Sequence, residues 1–151
     1  MPLPEYASCC VLSYNRGTFL YRSVKSLLEN ADYPLELIIH DDGSTDAMVE
    51  DTLRWAREEG AMVIRNPPGW NEGQGVALNR MFRMATGWPR FKLDQDLEYK
   101  PGWLRSAVDL MHCTPEIGLL GLFKYNHDPV DHTKTILEDW GDHEEHTREW
   151  C

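Results

Sequence analysis

The sequence predicts an α/β fold, with a mainly parallel sheet covered by helices on both faces. Three observations lead there. Short apolar runs alternate with longer stretches whose apolar residues recur at helical spacing. The first run is nearly unbroken rather than alternating, as in strands buried on both sides. The runs also end abruptly in polar or charged residues, the usual mark of strands that stop at a loop edge. Strands separated by helices need crossover connections, and hence a parallel sheet.

Residues 7–13 (ASCCVLS) are the first apolar run and read as a buried strand. Over 18–30, Leu20, Val24, Leu27 and Leu28 form one apolar helical stripe. Residues 35–40 (LELIIH) make the second strand, which runs into Asp41-Asp42-Gly43. A helix over 46–59 carries Val49, Leu53 and Ala56 on one face and stops at Gly60. Residues 61–65 are the third strand, and 66–75 (NPPGWNEGQG) are rich enough in proline and glycine to be loop. Leu78, Met81, Phe82 and Ala85 mark a third helix closed by Gly87. Residues 90–93 form the fourth strand, leading into Asp94-Gln95-Asp96. Pro101 suits the first turn of a helix bearing Leu104, Val108 and Met111, and 117–123 are predicted as a fifth strand. From Lys124 the pattern fades into a polar, acidic, histidine-bearing stretch. The expected organisation is an α/β domain over 1–123 and a tail or partial cap over 124–151.

A chain of 151 residues, 42% hydrophobic and 26% charged, has the composition of one soluble globular domain. Its formal net charge of −10 argues against a nucleic-acid partner, which calls for clustered Lys and Arg. A small phosphorylated ligand stays compatible, because a divalent cation can supply positive charge. No stretch reaches the roughly 18 apolar residues of a membrane span, and MPLPEYASCC lacks the pattern of a signal peptide. Cys9, Cys10, Cys113 and Cys151 fit neither a disulfide framework nor a zinc ribbon, which points to the cytoplasm.

Ligands of open parallel sheets sit beyond the carboxyl ends of the strands. Those ends carry Ser13-Tyr14-Asn15-Arg16, Asp41-Asp42-Gly43-Ser44, Arg65-Asn66 and Asp94-Gln95-Asp96. Each cluster alone has a plain structural reading as a turn or helix cap, with Ser44 or Asp46 capping the next helix. Their coincidence at one edge suits a metal-bridged phosphorylated ligand with a planar base. Asp94-x-Asp96 offers the oxygen ligands that Mg2+ and Mn2+ prefer. Trp70, in the Gly-Pro loop, is a further candidate for stacking on a sugar or covering the site.

These residues resemble the family-2 glycosyltransferases, which have the GT-A fold. The likeness lies in VLSYNRGTFLYRSVKSLLENADYPLELIIHDDGSTD, in Gly73-x-Gly75-x-Ala77-x-Asn79, and in KLDQD followed by PGWL. The resemblance implies that Ser13, Tyr14 and Asn15 line the base and ribose, with Tyr14 stacked on the base and Arg16 in the same donor-binding segment. It implies that Asp41 or Asp42 bonds the base edge. Gly75 and Asn79 would belong to the helix start beneath the sugar and diphosphate, and Arg80 would be a phosphate contact or a solvated helix residue. Asp94 would approach the sugar or ribose, and Asp96 would ligate Mn2+ or Mg2+ most directly.

The implied reaction is an inverting transfer from a nucleotide-diphosphate sugar, UDP-sugar favoured, to an acceptor hydroxyl on a glycan, lipid or protein. Family members continue through an acceptor region whose acidic pair supplies the general base. Here Glu138-Asp139 is the local pair resembling it, in surroundings that match poorly; surface charge is the plainer reading. His127, His132, His143 and His146 read as incidental residues of a polar tail. A nucleotidyltransferase is disfavoured because SYNRGTFL lacks a glycine-rich phosphate loop, and a dehydrogenase because no G-x-G-x-x-G follows the first strand. The alternative is a truncated or non-catalytic module that binds nucleotide sugar and metal without transferring anything.

Overall fold

A computed structural model describes residues 5–120 of the chain. Strands and helices alternate as β1 (Ala7–Ser13), α1 (Gly17–Glu29), β2 (Leu35–Asp41), α2 (Ala47–Glu58), β3 (Met62–Arg65), α3 (Gln74–Met84), β4 (Arg90–Asp94) and α4 (Trp103–Cys113). These are the predicted elements with their ends shifted slightly. The fifth strand is the exception: 117–120 form none, and 121–123 lie outside the described residues, as does the tail expected over 124–151. Leu119 is 92% exposed, so among the described residues no layer covers its side chain as in a buried strand. The described chain divides into two compact units after Arg105, and the whole sheet belongs to the first.

The sheet is all parallel, in the order β3-β2-β1-β4. The chain steps outward from β1 to β2 to β3, then crosses back to lay β4 on the far side of β1. Right-handed crossovers put α1 and α2 on one face and α3 on the other. On the α3 face, Met81 and Ala85 pack with Cys10 and Ile38, joined by Leu12, Ile64, Leu78 and Phe82. On the opposite face the buried stripe of α1 (Leu20, Val24, Leu27) and that of α2 (Val49, Leu53, Ala56) supply the core. Gly17 lets these two helices meet at their first turns. A Cβ there would stand 2.5 Å from Met48 Cβ and 2.6 Å from Val49 N, so any side chain would force the backbones apart.

β1 is hydrogen-bonded on both sides, and Cys9 and Cys10 within it are buried free thiols. Burial pushes both thiols above their ordinary range, Cys10 to about 12. Cys113 is disulfide-bonded, which departs from the expectation drawn from the cysteine spacing. At the opposite end of the sheet from the strand-end loops, Glu36 accepts hydrogen bonds from Ser8 Oγ (2.6 Å), Thr86 N (2.9 Å) and Thr86 Oγ1 (2.9 Å). Among the described residues, no helix is long and apolar enough to cross a membrane.

Candidate functional site

The strand order reverses between β1 and β4, and a crevice opens at such a reversal, outside the carboxyl ends of the strands. On the β1 side stand Ser13, Tyr14, Asn15 and Arg16; on the β4 side, Asp94, Gln95 and Asp96. The register pairs Leu12 with Asp94, which brings the two segments level. Tyr14 is 45% exposed, whereas Ser13 is fully buried and its Oγ has no hydrogen-bond partner among the described residues. Asn15 and Arg16 both adopt left-handed backbone, with φ of 53° and 56°. Two successive non-glycine residues in that region are costly, and they persist where surrounding bonds over-determine them.

Those bonds are present. Asn15 N donates to Ser44 Oγ (2.6 Å), and Asn15 Oδ1 accepts from Thr45 N (3.0 Å) and Asp46 N (3.3 Å). Asp46 caps α2 through Met48 N (2.9 Å) and accepts from Gly17 N (2.7 Å), so the loops after β1 and β2 are stitched together. The Gln95 side-chain amide pairs with the Tyr14 backbone, accepting from its N–H (3.0 Å) and donating to its carbonyl (3.1 Å). Arg16 Nη1 lies 3.7 Å from Asp96 Oδ2, and Lys92 Nζ forms an ion pair with Asp94 Oδ1. Both aspartate side chains are partly exposed, 48% for Asp94 and 34% for Asp96. The segment after β4 is laid along α1: Ser23 Oγ donates to Asp94 O (3.3 Å) and Ser26 Oγ accepts from Tyr99 N (3.1 Å).

Asp41 and Asp42 are buried and held by the protein's own donors. Asp41 accepts from Ser44 N (3.2 Å), Ser44 Oγ and Arg65 Nε (3.1 Å). Asp42 accepts from Asn66 Nδ2 (2.8 Å), Glu72 N (2.9 Å) and Gly73 N (2.9 Å), which ties the 66–73 loop to the end of β2. Gly43, at φ 85°, completes that junction, since a Cβ there would meet Trp70 O at 2.5 Å. Trp70 itself is 65% exposed. Gly75 and Asn79 lie exposed on α3, Gly75 in its first turn. Arg80 is turned inward, bonding Glu72 Oε2 (3.0 Å), Asn66 Oδ1 (3.2 Å) and His40 Nε2 (3.1 Å).

His40, Asp42 and Glu72 have potential metal-ligand atoms within 4.8 Å of one another. The Arg80 guanidinium already stands among them, 2.8 Å from Glu72 Oε1, and supplies the cation that such a cluster would otherwise lack. Because a guanidinium only donates, His40 Nε2 accepts, and the ring is neutral with its proton on Nδ1. Burial, then the Arg80 charge, depress the His40 pKa and outweigh the opposing carboxylates of Glu72, Asp42 and Asp41. A depressed pKa means that the unfolded chain binds more protons, so this stabilisation is complete above the ordinary value of 6.5 and is lost as pH falls toward the folded value. Thermal melts of the wild type should therefore decline below about pH 6.5. In His40→Gln, which keeps an acceptor for Arg80 but cannot titrate, that decline should flatten; an unchanged profile would place the titrating group elsewhere.

The model of Glycosyl transferase family 2 matches residues 8–149. The chain belongs to that family. A family relative, an uncharacterized glycosyltransferase of Nostoc sp., is 30% identical over 131 residues, covering 85% of this chain and 40% of its own length. Chondroitin synthase of Escherichia coli is 34% identical over 104 residues, covering 68% of this chain but 15% of its own length. The fold is of the GT-A type. A mannosyltransferase of Pyrobaculum calidifontis, solved with GDP-Man and Mn2+, superposes with a TM-score of 0.60 at 20% identity, over 87% of this chain and 38% of that one. S. aureus TarS 1-349, solved with UDP, superposes at 0.62 and 18% identity, over 81% and 39%. This family-2 chain thus spans about two fifths of the length of these relatives, chondroitin synthase apart.

Of the family-2 chain's expected site residues, Tyr14, Arg16, Asp94 and Asp96 meet at the strand-order reversal. Asn15, Asp41, Asp42 and Arg80 are engaged in holding loops, and Glu138 and Asp139 lie outside the described residues. Sequence reasoning passed over Gln95, Glu72 and His40. An ionisable residue inside the apolar run LELIIH was the visible signal for His40.

Proposed function

We propose that this chain carries the donor-binding part of a glycosyltransferase that moves a sugar from a nucleotide-diphosphate sugar, UDP-sugar favoured, to an acceptor hydroxyl. The observation that carries the reading is the strand-order reversal between β1 and β4, where a half-exposed tyrosine and two partly exposed aspartates stand on adjacent strand ends. The solved relatives that hold GDP-Man with Mn2+, and UDP, support a nucleotide-diphosphate donor.

The Tyr14 ring offers a flat apolar face for the base. Asp96, with Asp94 as its neighbour, presents the hard oxygen donors suited to Mn2+ or Mg2+. Both carboxylates already attract cations, Arg16 and Lys92, so the donor set fits a divalent ion. When bound there, the ion would neutralise the charge that develops on the departing diphosphate. Arg16, freed from Asp96, adds a second positive group beside that diphosphate. The transfer inverts the anomeric centre, and a carboxylate removes the acceptor proton, with Glu138 and Asp139 as candidates. The acceptor is a hydroxyl of a glycan, lipid or protein.

Calorimetric titration with UDP, GDP and dTDP, each with and without Mn2+, tests the donor site. Binding should need Mn2+ and select one base; no binding to any of the three overturns the reading. Metal-dependent turnover of the matching sugar nucleotide, rather than binding alone, separates a transferase from a non-catalytic module.

A further inference from the structure

The paired hydrogen bonds between β1 and β4 end at Leu12 opposite Asp94, yet the two chains are joined once more beyond that point. The Gln95 side-chain amide imitates a peptide unit, accepting from Tyr14 N and donating to Tyr14 O. It adds one rung to the ladder where neither backbone supplies one. Immediately afterwards the chain turns away through the left-handed pair Asn15 and Arg16, and Asn15 is fastened to the loop after β2. Tyr14 is therefore gripped on one side by Gln95 and on the other by the Asn15 bonds, while the residue as a whole remains 45% exposed. Among the described residues, the side chains of Asp94 and Asp96, flanking Gln95, make ion pairs alone, to Lys92 and Arg16.

We propose that Gln95 is a positioning residue that fixes the Tyr14 ring, and hence the nucleotide base, at a set place relative to the Asp94 and Asp96 carboxylates. The inference rests on the donor-site reading above. Its physical content is a division of labour inside three consecutive residues: the outer two face the charged end of the donor, and the middle one sets the base end. An unheld Tyr14 backbone gains freedom that base binding must then remove, so affinity falls for ligands with a base and not for those without one.

The test compares UDP with inorganic pyrophosphate, both in saturating Mn2+, by calorimetry on the wild type, Gln95→Leu, Tyr14→Ala and the double variant. If the wild type prefers GDP or dTDP, that nucleotide replaces UDP. Gln95→Leu keeps the side-chain bulk but removes both hydrogen bonds. It should weaken UDP binding about tenfold and shift pyrophosphate binding less than about twofold, with a melting temperature close to that of the wild type. The double variant should bind UDP no more weakly than Tyr14→Ala, because Gln95 acts through that ring. Equal losses for UDP and pyrophosphate would mean that Gln95 merely supports the aspartates, and additive losses that it acts independently of Tyr14. Either result, or no loss at all, overturns the proposal. A wild type that binds UDP no better than pyrophosphate overturns the donor-site reading itself, and this proposal with it.

Discussion

Asp96→Ala is expected to abolish metal-dependent nucleotide binding, a loss of about 100-fold or more, with little change in melting temperature. The two halves of this expectation have separate causes. Asp96 lies on the loop after β4, and its one ion pair among the described residues is a partly exposed 3.7 Å contact with Arg16. Exposed pairs of that kind contribute roughly 0–1 kcal/mol, so the fold loses almost nothing. The affinity loss follows because no other carboxylate can take its place in the Asp94-Gln95-Asp96 turn except Asp94, which is paired with Lys92. Calorimetry with Mn2+ and the preferred nucleotide, run beside a thermal melt, checks both halves. Normal nucleotide and metal binding by this variant would remove Asp96 from the metal site.

Asp42→Ala should show the opposite signature, with stability lost first. Asp42 is 3% exposed, and its two oxygens accept from Asn66 Nδ2, Glu72 N and Gly73 N. Truncation strands three donors that fold around the carboxylate. Each stranded group costs about 1–3 kcal/mol, and after partial relaxation about 3–5 kcal/mol in total is expected. That corresponds to a fall of roughly 10 °C in melting temperature. The damage spreads because Glu72 also anchors Arg80, whose bonds to Asn66 and His40 tie the middle of α3 to the loop after β3 and to β2. A melt within a couple of degrees of the wild type would show that the 66–73 loop is held by something else. Measured together, the two aspartate variants separate residues that shape the site from residues that meet the ligand.

Much of this architecture was legible in the sequence, because helical and strand periods are local properties. The alternation from β1 to α4 follows from where Leu, Val, Ile and Met recur. The run at 117–120 forms no strand, and apolar composition alone does not reveal whether a neighbouring strand or covering layer exists. The edge of the sheet that carries the candidate site was legible too, since ligands of parallel sheets gather at one known end. Individual roles were less so. Asp41 and Asp42 look alike in the string DDGSTD, and apart from Ser44, which bonds Asp41 locally, their partners Arg65, Asn66 and Glu72 come from more than twenty positions away. Arg80 fitted either a phosphate contact or a solvated helix face, and only its distances to Glu72, Asn66 and His40 show it acting as a strut. Gln95 was invisible because a D-x-D string draws attention to its ends. Its bond to Tyr14 depends on β4 lying beside β1, a neighbour relation that chain order does not give.

The two adjacent thiols of β1 have a practical consequence. Cys9 and Cys10 are fully buried in a strand paired on both sides, and burial keeps them protonated at neutral pH. An alkylating reagent attacks thiolate, so it finds neither until the layers covering the faces of β1 lift away, α3 in the case of Cys10. The rate of labelling is then a clock for the opening of the core, with no reporter built into the chain and no loop fraying mixed into the signal. The strand that leads into Tyr14 thus reports, through its middle, how firmly the proposed nucleotide ligand holds the fold closed.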